Sequence, residues 1–397
     1  MQYLAVLGRQ KEISLAELEA LFNDVQMISD GLAVFTSKRM PEISRLGGTL
    51  KVAEKIKTPV LEFLAGFPDG KITFGVSDYS KKASKKSANL EAMKLKKILV
   101  RHGRSVRVVA NTDAILGTAT SLHNGLYGKS PRKAELIKIE SDWYRVIGVQ
   151  DIDAYSRRDQ ARPARDAKVG MLPPKLAQIL INLCGCLPKG SCVLDPFCGT
   201  GVVLQEALLM GYRVYGTDIS EKMVEYSREN LEWLVQGKFG IAPSRTRSSQ
   251  PVVTGETSLF SLPLSRDGSQ RSYFQISQGD ATSCQWERSI DAVACECYLG
   301  KPMSRAPTEM ELKEQKQECG GIILGFLKNL YSQIEPGTPV TIAMPAWLTE
   351  NGEYSRLQIL DEIKDMGYNV SNKSCEGLLY HREGQIVARD IIILRKK

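Results

Sequence analysis

The sequence predicts an α/β protein in which a domain built on a parallel sheet follows two smaller α/β modules. Three observations predict it. From about residue 171 apolar strands alternate with helices, the rhythm of a parallel sheet. Three successive strands there end on an acid, at Asp195, Asp218 and Asp280, and a glycine-rich turn follows the first. At 397 residues the chain also exceeds what one hydrophobic core usually serves, so two or three domains are expected.

Residues 1–58 read as a small βαβ-type module. An apolar strand at 3–7 is followed by Ser14-Leu-Ala-Glu17, which has the spacing of a capping box opening a helix through Leu21, and a second strand lies at 32–35. Residues 59–150 form a second module. It holds a Lys-rich helix over 84–102, with Leu90, Met93, Leu95 and Ile98 as its apolar residues, and strands at 105–110, 135–139 and 143–149. Residues 151–170 are polar and charged, and read as a linker. The parallel-sheet domain then occupies 171–397. Within it, 237–272 is rich in Ser, Thr, Gly, Arg and Pro and lacks periodicity. That stretch is expected to be a flexible surface insertion, either offering Arg245, Arg247, Arg266 and Arg271 to RNA phosphate or serving no role. Later elements are a helix over 308–334, a strand at 340–344, a helix over 351–366, and a hairpin of 378–381 with 385–394 around Arg382-Glu-Gly384. Arg382 and Arg389 are equally well read as RNA contacts or as exposed strand charges.

Charge is unevenly placed. Between residues 51 and 107 there are 14 basic and 5 acidic side chains, an excess larger than the whole chain's net charge of +8. Its densest part includes Lys81, Lys82, Lys85, Lys86, Lys94, Lys97 and Arg101. Such a concentration suits a polyanion, and nucleic acid fits better than a membrane surface because no bulky aromatic lies on the helix's apolar face. The remainder is close to neutral. No apolar run approaches the roughly 18 residues of a membrane helix, and the run at 3–7 is too short for a signal core, so a cytoplasmic location is expected. Nine cysteines, in pairs such as Cys184/Cys186 and Cys295/Cys297 without zinc-knuckle spacing, read as small buried hydrophobes; neither a disulfide framework nor a metal site is expected.

The most informative line is Cys192-Val-Leu-Asp-Pro-Phe-Cys-Gly-Thr-Gly-Val-Val-Leu-Gln-Glu-Ala207. A strand ends in Asp195, and Pro196, Cys198, Gly199 and Gly201 form a turn whose glycines let backbone approach a ligand closely. A helix then starts near Val202, presenting amides that suit an anionic group. The second strand ends in Gly-Thr-Asp218 followed by Ile219. An acid there accepts hydrogen bonds from both ribose hydroxyls of a nucleoside, while the turn lacks the Gly-x-Gly-x-x-Gly of dinucleotide sites. The third strand end, Gly-Asp280-Ala281, places a carboxylate for the exocyclic amine of an adenine. The fourth runs into Glu296-Cys297-Tyr298-Leu299.

This order of motifs resembles the class I S-adenosylmethionine-dependent methyltransferases. The Asp-Pro-Phe-Cys-Gly form, preceded by Arg162-Pro-Ala-Arg-Asp-Ala-Lys-Val-Gly-Met-Leu-Pro-Pro-Lys175, is similar to the tRNA guanosine-N(2) methyltransferases that carry an RNA-binding THUMP domain and whose relatives modify the guanosine at tRNA position ten. The resemblance implies a Rossmann-like C-terminal domain with a seven-stranded sheet, an N-terminal ferredoxin-like module over 1–58 and a THUMP-like module over 59–150. It implies S-adenosylmethionine as cofactor, held by Asp195 to Gly201, Asp218, Ile219, Asp280 and Ala281, and tRNA as substrate. Family members usually carry Asp-Pro-Pro-Tyr after the fourth strand. There the acid and the next carbonyl accept from the target amine while the aromatic stacks on the flipped base. Here Glu296 keeps an acceptor one methylene further out, Cys297 keeps the carbonyl without the stiffening proline, and Tyr298 takes the stacking role. An active, divergent loop is the favoured reading. The alternatives are a non-catalytic RNA-binding protein with a methyltransferase fold, a Cys297 nucleophile, and a DNA amino-methyltransferase. The tRNA position, mono- or dimethylation, the oligomeric state and the need for a small activating protein subunit are left open.

Overall fold

The computed structural model describes residues 1–128, 130–166, 171–236, 273–372 and 377–397. The chain divides into two compact units, Met1–Ala154 and Tyr155–Lys397. The expected insertion at 237–272, with its four arginines, lies outside the described residues. Among those described, no helix is long and apolar enough to cross a membrane.

The first unit is built on one eight-stranded sheet. Its elements are β1 (Gln2–Leu7), α1 (Lys11–Leu21), β2 (Asn23–Ser29), β3 (Leu32–Thr36), β4 (Thr49–Lys55), α2 (Val60–Ala65) and β5 (Ile72–Asp78). They continue with α3 (Lys85–Arg101), β6 (Val106–Val108), α4 (Thr118–Asn124), β7 (Lys133–Ile139) and β8 (Asp142–Val149). The strand order is β2-β3-β1-β4-β8-β7-β5-β6, so the antiparallel pairing of β4 with β8 joins the segments 1–58 and 59–150 in a single sheet. Two of these strands escape a reading by hydrophobic pattern. Most of β2 is exposed, and β4 carries a buried lysine.

That lysine, Lys51, lies with Glu135 of β7 in the unit's interior at 2.5 Å. Ser77 and Ser121 donate hydroxyls to the same carboxylate at 2.6 and 2.5 Å, and Lys51 also donates to the carbonyl of Leu116 at 2.7 Å. Both carboxylate oxygens and two of the three ammonium donors are thereby engaged, which is what makes burial of two charges tolerable.

Two local expectations are corrected. Helix α1 begins at Lys11, ahead of the supposed capping box. Ser14 sits within it, donating its hydroxyl to the carbonyl of Gln10 at 2.8 Å. Glu17 is fully buried and accepts from the amides of Gly47 and Gly48 at 2.9 and 2.8 Å. The Ser-x-x-Glu spacing serves a tertiary contact: the 47–48 turn packs so closely on the helix that a Cβ at Gly48 would stand 2.7 Å from the Ser14 hydroxyl. Helix α3 does form over the Lys-rich stretch, with Ser84 and Ser87 capping each other. However, it buries Ala88, Ala92, Leu95 and Leu99, leaving Leu90 and Met93 52% and 51% exposed. Two alanines let the helix lie close on the sheet; of the four apolar residues chosen from the sequence, Leu95 is buried and Ile98 half-buried, while Leu90 and Met93 turn outward.

The second unit comprises α5 (Ile152–Gln160, within which the boundary falls), α6 (Pro174–Leu183), β9 (Cys192–Asp195), α7 (Val202–Leu209), β10 (Arg213–Asp218), α8 (Glu221–Val235), β11 (Phe274–Gln278) and β12 (Ala292–Glu296). It continues with α9 (Glu309–Tyr331), β13 (Pro339–Leu348), β14 (Tyr354–Arg356), α10 (Leu360–Asp365), β15 (Tyr368–Val370), β16 (Leu378–Tyr380) and β17 (Val387–Lys396). The main sheet path runs β11-β10-β9-β12-β13-β17-β15, parallel through β13 and then antiparallel at β17. Short β14 and β16 pair β13 and β17 off that path, giving nine strands where seven were expected. The supposed helix over 351–366 is therefore largely replaced, with β14 at its start and only α10 helical. Ile323, Phe326, Leu327 and Leu330 of α9 form one core with Leu194, Val293 and Ile342 of the sheet.

Replacing Lys51 alone by alanine strands a buried carboxylate and should lower the unfolding free energy by about 3–5 kcal/mol. The double variant Lys51→Met/Glu135→Leu should lose much less. Denaturant unfolding of the full chain measures both.

Candidate active site

The site forms where β9, β10, β11 and β12 end, since a parallel sheet delivers its strand termini to one edge. Asp195 closes β9, the turn of Pro196 to Gly201 follows, and α7 starts at Val202. Gly201 adopts φ +82°, and a Cβ there would stand 2.4 Å from the Ser227 hydroxyl on α8. Gly216 of β10 is equally confined: a Cβ would meet Leu204 at 2.4 Å and the Cys198 sulfur at 3.3 Å. The turn thus packs directly on the neighbouring strand, and Cys198 donates its amide to the carbonyl of Thr217 at 2.9 Å.

Asp218 anchors that turn. One of its oxygens accepts from the Gly199 amide and the other from the Ser220 amide, each at 2.9 Å. Burial nevertheless pushes its carboxyl above the usual range. Asp195 is buried, accepts from the Phe197 amide at 3.1 Å, and is held well above the usual carboxylate range by burial and then by the nearby charges of Asp218 and Glu296. Asp280 is exposed, one of its oxygens accepting from the amide and hydroxyl of Thr282 at 2.9 and 2.7 Å.

At the end of β12, Glu296 accepts from Nε of Arg389 at 2.7 Å. Burial raises its carboxyl, and Arg389 partly offsets that. Cys297 is buried and donates its amide to the carbonyl of Ala343 at 3.0 Å, which ties the loop to β13. The Tyr298 hydroxyl donates to Glu318 of α9 at 3.4 Å. Gln315 of α9 then accepts from the Lys301 amide at 2.9 Å and closes the loop.

These groups surround one cavity of about 960 Å³. Asp195, Pro196, Cys198, Gly199, Asp218, Ile219, Asp280, Ala281, Glu296, Cys297 and Tyr298 all line it, so eleven sequence-selected residues from four strand ends converge. Gly201 does not line it; its part is the close packing against α8. Lys81, Lys82, Lys85, Lys86, Lys94, Lys97 and Arg101 belong to the first unit, where all are exposed. Residues not anticipated in the wall include Glu318, Ile386 and Arg389. Arg389 requires a correction: read as an RNA contact or an exposed strand charge, it is 5% exposed and paired with Glu296. Its partner is 93 residues away in sequence, so no local pattern could reveal the pair.

The 151–170 segment also departs from a plain connector. Arg158 of α5 pairs with buried Glu206 of α7 at 2.6 Å, and Arg162 donates to Thr200 at 3.2 Å. Asn230 of α8 donates to the carbonyls of both Ala164 and Thr200 at 2.9 Å. Residues 158–164 thus clasp the glycine turn from behind.

A family model described as DNA methylase matches residues 79–229, a stretch that crosses from the first unit into the second. The tRNA (guanine(10)-N2)-dimethyltransferase of Methanothermobacter thermautotrophicus is 30% identical over 225 residues, covering 53% of this chain and 54% of that protein. The protein of the same name from Pyrococcus abyssi is 30% identical over 247 residues, covering 59% and 68%. The chain thus spans about half to two thirds of the length of these relatives. The crystal structure of TrmN from Thermus thermophilus aligns over 100% of both chains at 16% identity and a TM-score of 0.47. By sheet order and by the acids at its strand ends, the second unit is a class I methyltransferase domain. More particularly, the chain belongs to the tRNA (guanine(10)-N2)-dimethyltransferase family.

Gly190 and Gly201 share φ +82°, but a Cβ at Gly190 meets nothing within 4 Å. Gly190→Ala should therefore lower stability by about 1 kcal/mol through backbone strain alone. Gly201→Ala adds overpacking against Ser227 and should lose a further 1–3 kcal/mol or so. Thermal unfolding of the two variants side by side separates the effects.

Proposed function

We propose that this protein transfers a methyl group from S-adenosylmethionine to the 2-amino group of a guanosine in tRNA. The single observation that carries the reading is the convergence of three strand-end acids, the glycine turn and the Glu296 loop on one cavity. The donor set fits the cofactor. Asp195, Asp218 and Glu296 bring carboxyl oxygens to the cavity wall as acceptors for an ammonium and for hydroxyls, and Phe197, Ile219 and Ala281 supply apolar wall for an adenine. The relatives' name supports position ten and two rounds of transfer.

When bound, S-adenosylmethionine supplies an electrophilic methyl carbon, which the amine nitrogen takes as sulfur keeps the electron pair of the broken bond. Asp218 accepts the ribose hydroxyls on the lone pairs that the Gly199 and Ser220 amides leave free, and Asp280 accepts the adenine amine. The turn from Asp195 to Cys198 brings backbone to the methionine end. Glu296 and the carbonyl of Cys297 accept the two protons of the guanine amine, which aims its lone pair, while Tyr298 stacks on the base. After attack the amine loses its proton to water, so no histidine is needed.

The first unit serves as the RNA-docking part, organised as ferredoxin-like and THUMP-like modules, with its exposed lysines from Lys81 to Lys97 and Arg101 on tRNA phosphates. Cytoplasmic tRNA is the substrate pool this implies.

Incubation with labelled methyl donor and bulk tRNA, followed by digestion to nucleosides, should yield labelled N(2)-methylguanosine or its dimethyl form. Preferential labelling of duplex DNA, or no label with tRNA still bound at low salt, would overturn the assignment. Glu296→Ala should reduce transfer about 10²-fold or more, the usual effect of losing one transition-state hydrogen bond. Replacing Lys81, Lys82, Lys85 and Lys86 by glutamine should instead weaken tRNA binding across sequences and flatten its salt dependence by up to about four counterions.

A further inference from the structure

The acid that meets the target amine has a partner of its own. Glu296 and Arg389 lie two strands apart, at the ends of β12 and β17, with β13 between them. The register sets Glu296 beside Ala343 and Arg389 beside Pro345, so the ion pair reaches across two small residues of β13. Nε of Arg389 stands 2.7 Å from one oxygen of Glu296, and both residues line the cavity. Arg389 is 5% exposed, a degree of burial that a guanidinium sustains only when paired. The next residue, Asp390, points to the other face of the strand, where Arg356 lies 3.4 Å away, so the two ion pairs of β17 are separate.

We propose that Arg389 is a positioning residue for the transfer: it holds one oxygen of Glu296 and leaves the other to accept a hydrogen bond from the target amine. The inference rests on the methyl-transfer reading above. The physical need is specific to this chain. A glutamate carries one more rotatable bond than the aspartate usual at the motif, and the proline that would stiffen the loop is replaced by Cys297. Arg389 supplies the missing constraint from the opposite side of β13. It also supplies the only cation among the groups described as facing Glu296. From β9 that carboxylate meets the acid Asp195, β13 contributes no titratable side chain there, and the loop adds Cys297 and Tyr298, the latter bonded to Glu318 of α9.

The sign of the pH effect follows. Burial already raises the Glu296 carboxyl and Arg389 counters it. Removing the cation therefore raises it further, and more of the enzyme carries a protonated Glu296 with one acceptor fewer. In Arg389→Met the kcat on tRNA at neutral pH should fall about ten-fold or more. The acidic limb of the kcat profile should move up by about one pH unit or more, a unit being a ten-fold change in the protonation ratio. KM for tRNA should change by less than about two-fold. Arg389→Lys should recover part of both the rate and the pH shift. Arg389→Met combined with Glu296→Gln should be no slower than Glu296→Gln alone, since the two act through one contact.

An acidic limb that stays in place in Arg389→Met, or effects of the two substitutions that simply multiply, would overturn the proposal. A readout independent of turnover is the titration of the Glu296 carboxyl band in infrared difference spectra, identified by its loss in Glu296→Gln. It should move to higher pH in Arg389→Met, and no movement refutes the coupling. If the band moves but the wild-type protein labels no guanosine, the methyl-transfer reading has failed while the pairing stands. Should Arg389→Met not fold, as judged by thermal unfolding, the same pH profile and band titration in Arg389→Lys decide.

Discussion

The strand-end cavity of the second unit depends on a carboxylate being made welcome at the end of a strand. Asp218 leaves bulk water for a partly enclosed cavity wall, and the amides of Gly199 and Ser220 compensate it from the loops on either side. One of those amides belongs to the turn after β9. The acid on the second strand therefore shapes the loop of the first. That loop reaches β10 only because Gly216 leaves room for Cys198 and Leu204. The cavity is in this sense a by-product of satisfying one acid: loop, strand spacing and helix start all follow from where its hydrogen bonds must come from.

The parts legible in the sequence share a property, which is that their determinants are local. The apolar strand into Asp195, the turn, and the helix from Val202 occupy one short stretch, and their burial and torsions need no distant partner to be read. The same holds for α3, which the interleaving of its lysines with Leu90, Met93, Leu95 and Ile98 marks as a helix. What could not be read is which way a local element faces once packed. Leu90 and Met93 look like core and are outside, because Ala88 and Ala92 allow a closer approach to the sheet than leucine would. Ser14 and Glu17 have capping-box spacing, yet Ser14 donates to the carbonyl of Gln10 and Glu17 binds a turn some thirty residues on.

Buried charges were the hardest to see, for a reason rooted in electrostatics. Lys51 and Glu135 are both individually implausible in a core, and only the pair, with Ser77 and Ser121, makes sense of either. Arg389 and Glu296 repeat the lesson in the site. A sequence displays each charge with its neighbours in the chain, while its free energy is set by neighbours in space. The strand that takes Lys51 inside is also the one that joins the two halves of the first sheet, so a single buried cation accompanies the continuity of that sheet.

The clasp behind the glycine turn bears on where this protein can be divided. A cut at residue 171, the start of the strand-helix alternation, would remove Arg158 from Glu206, Arg162 from Thr200 and Ala164 from Asn230. Glu206 would then stay buried with its charge uncompensated, on the very helix that follows the glycine turn. A fragment that keeps the packing behind the glycine turn must therefore retain Arg158, Arg162 and Ala164, and the apparent linker is part of the second unit's own structure.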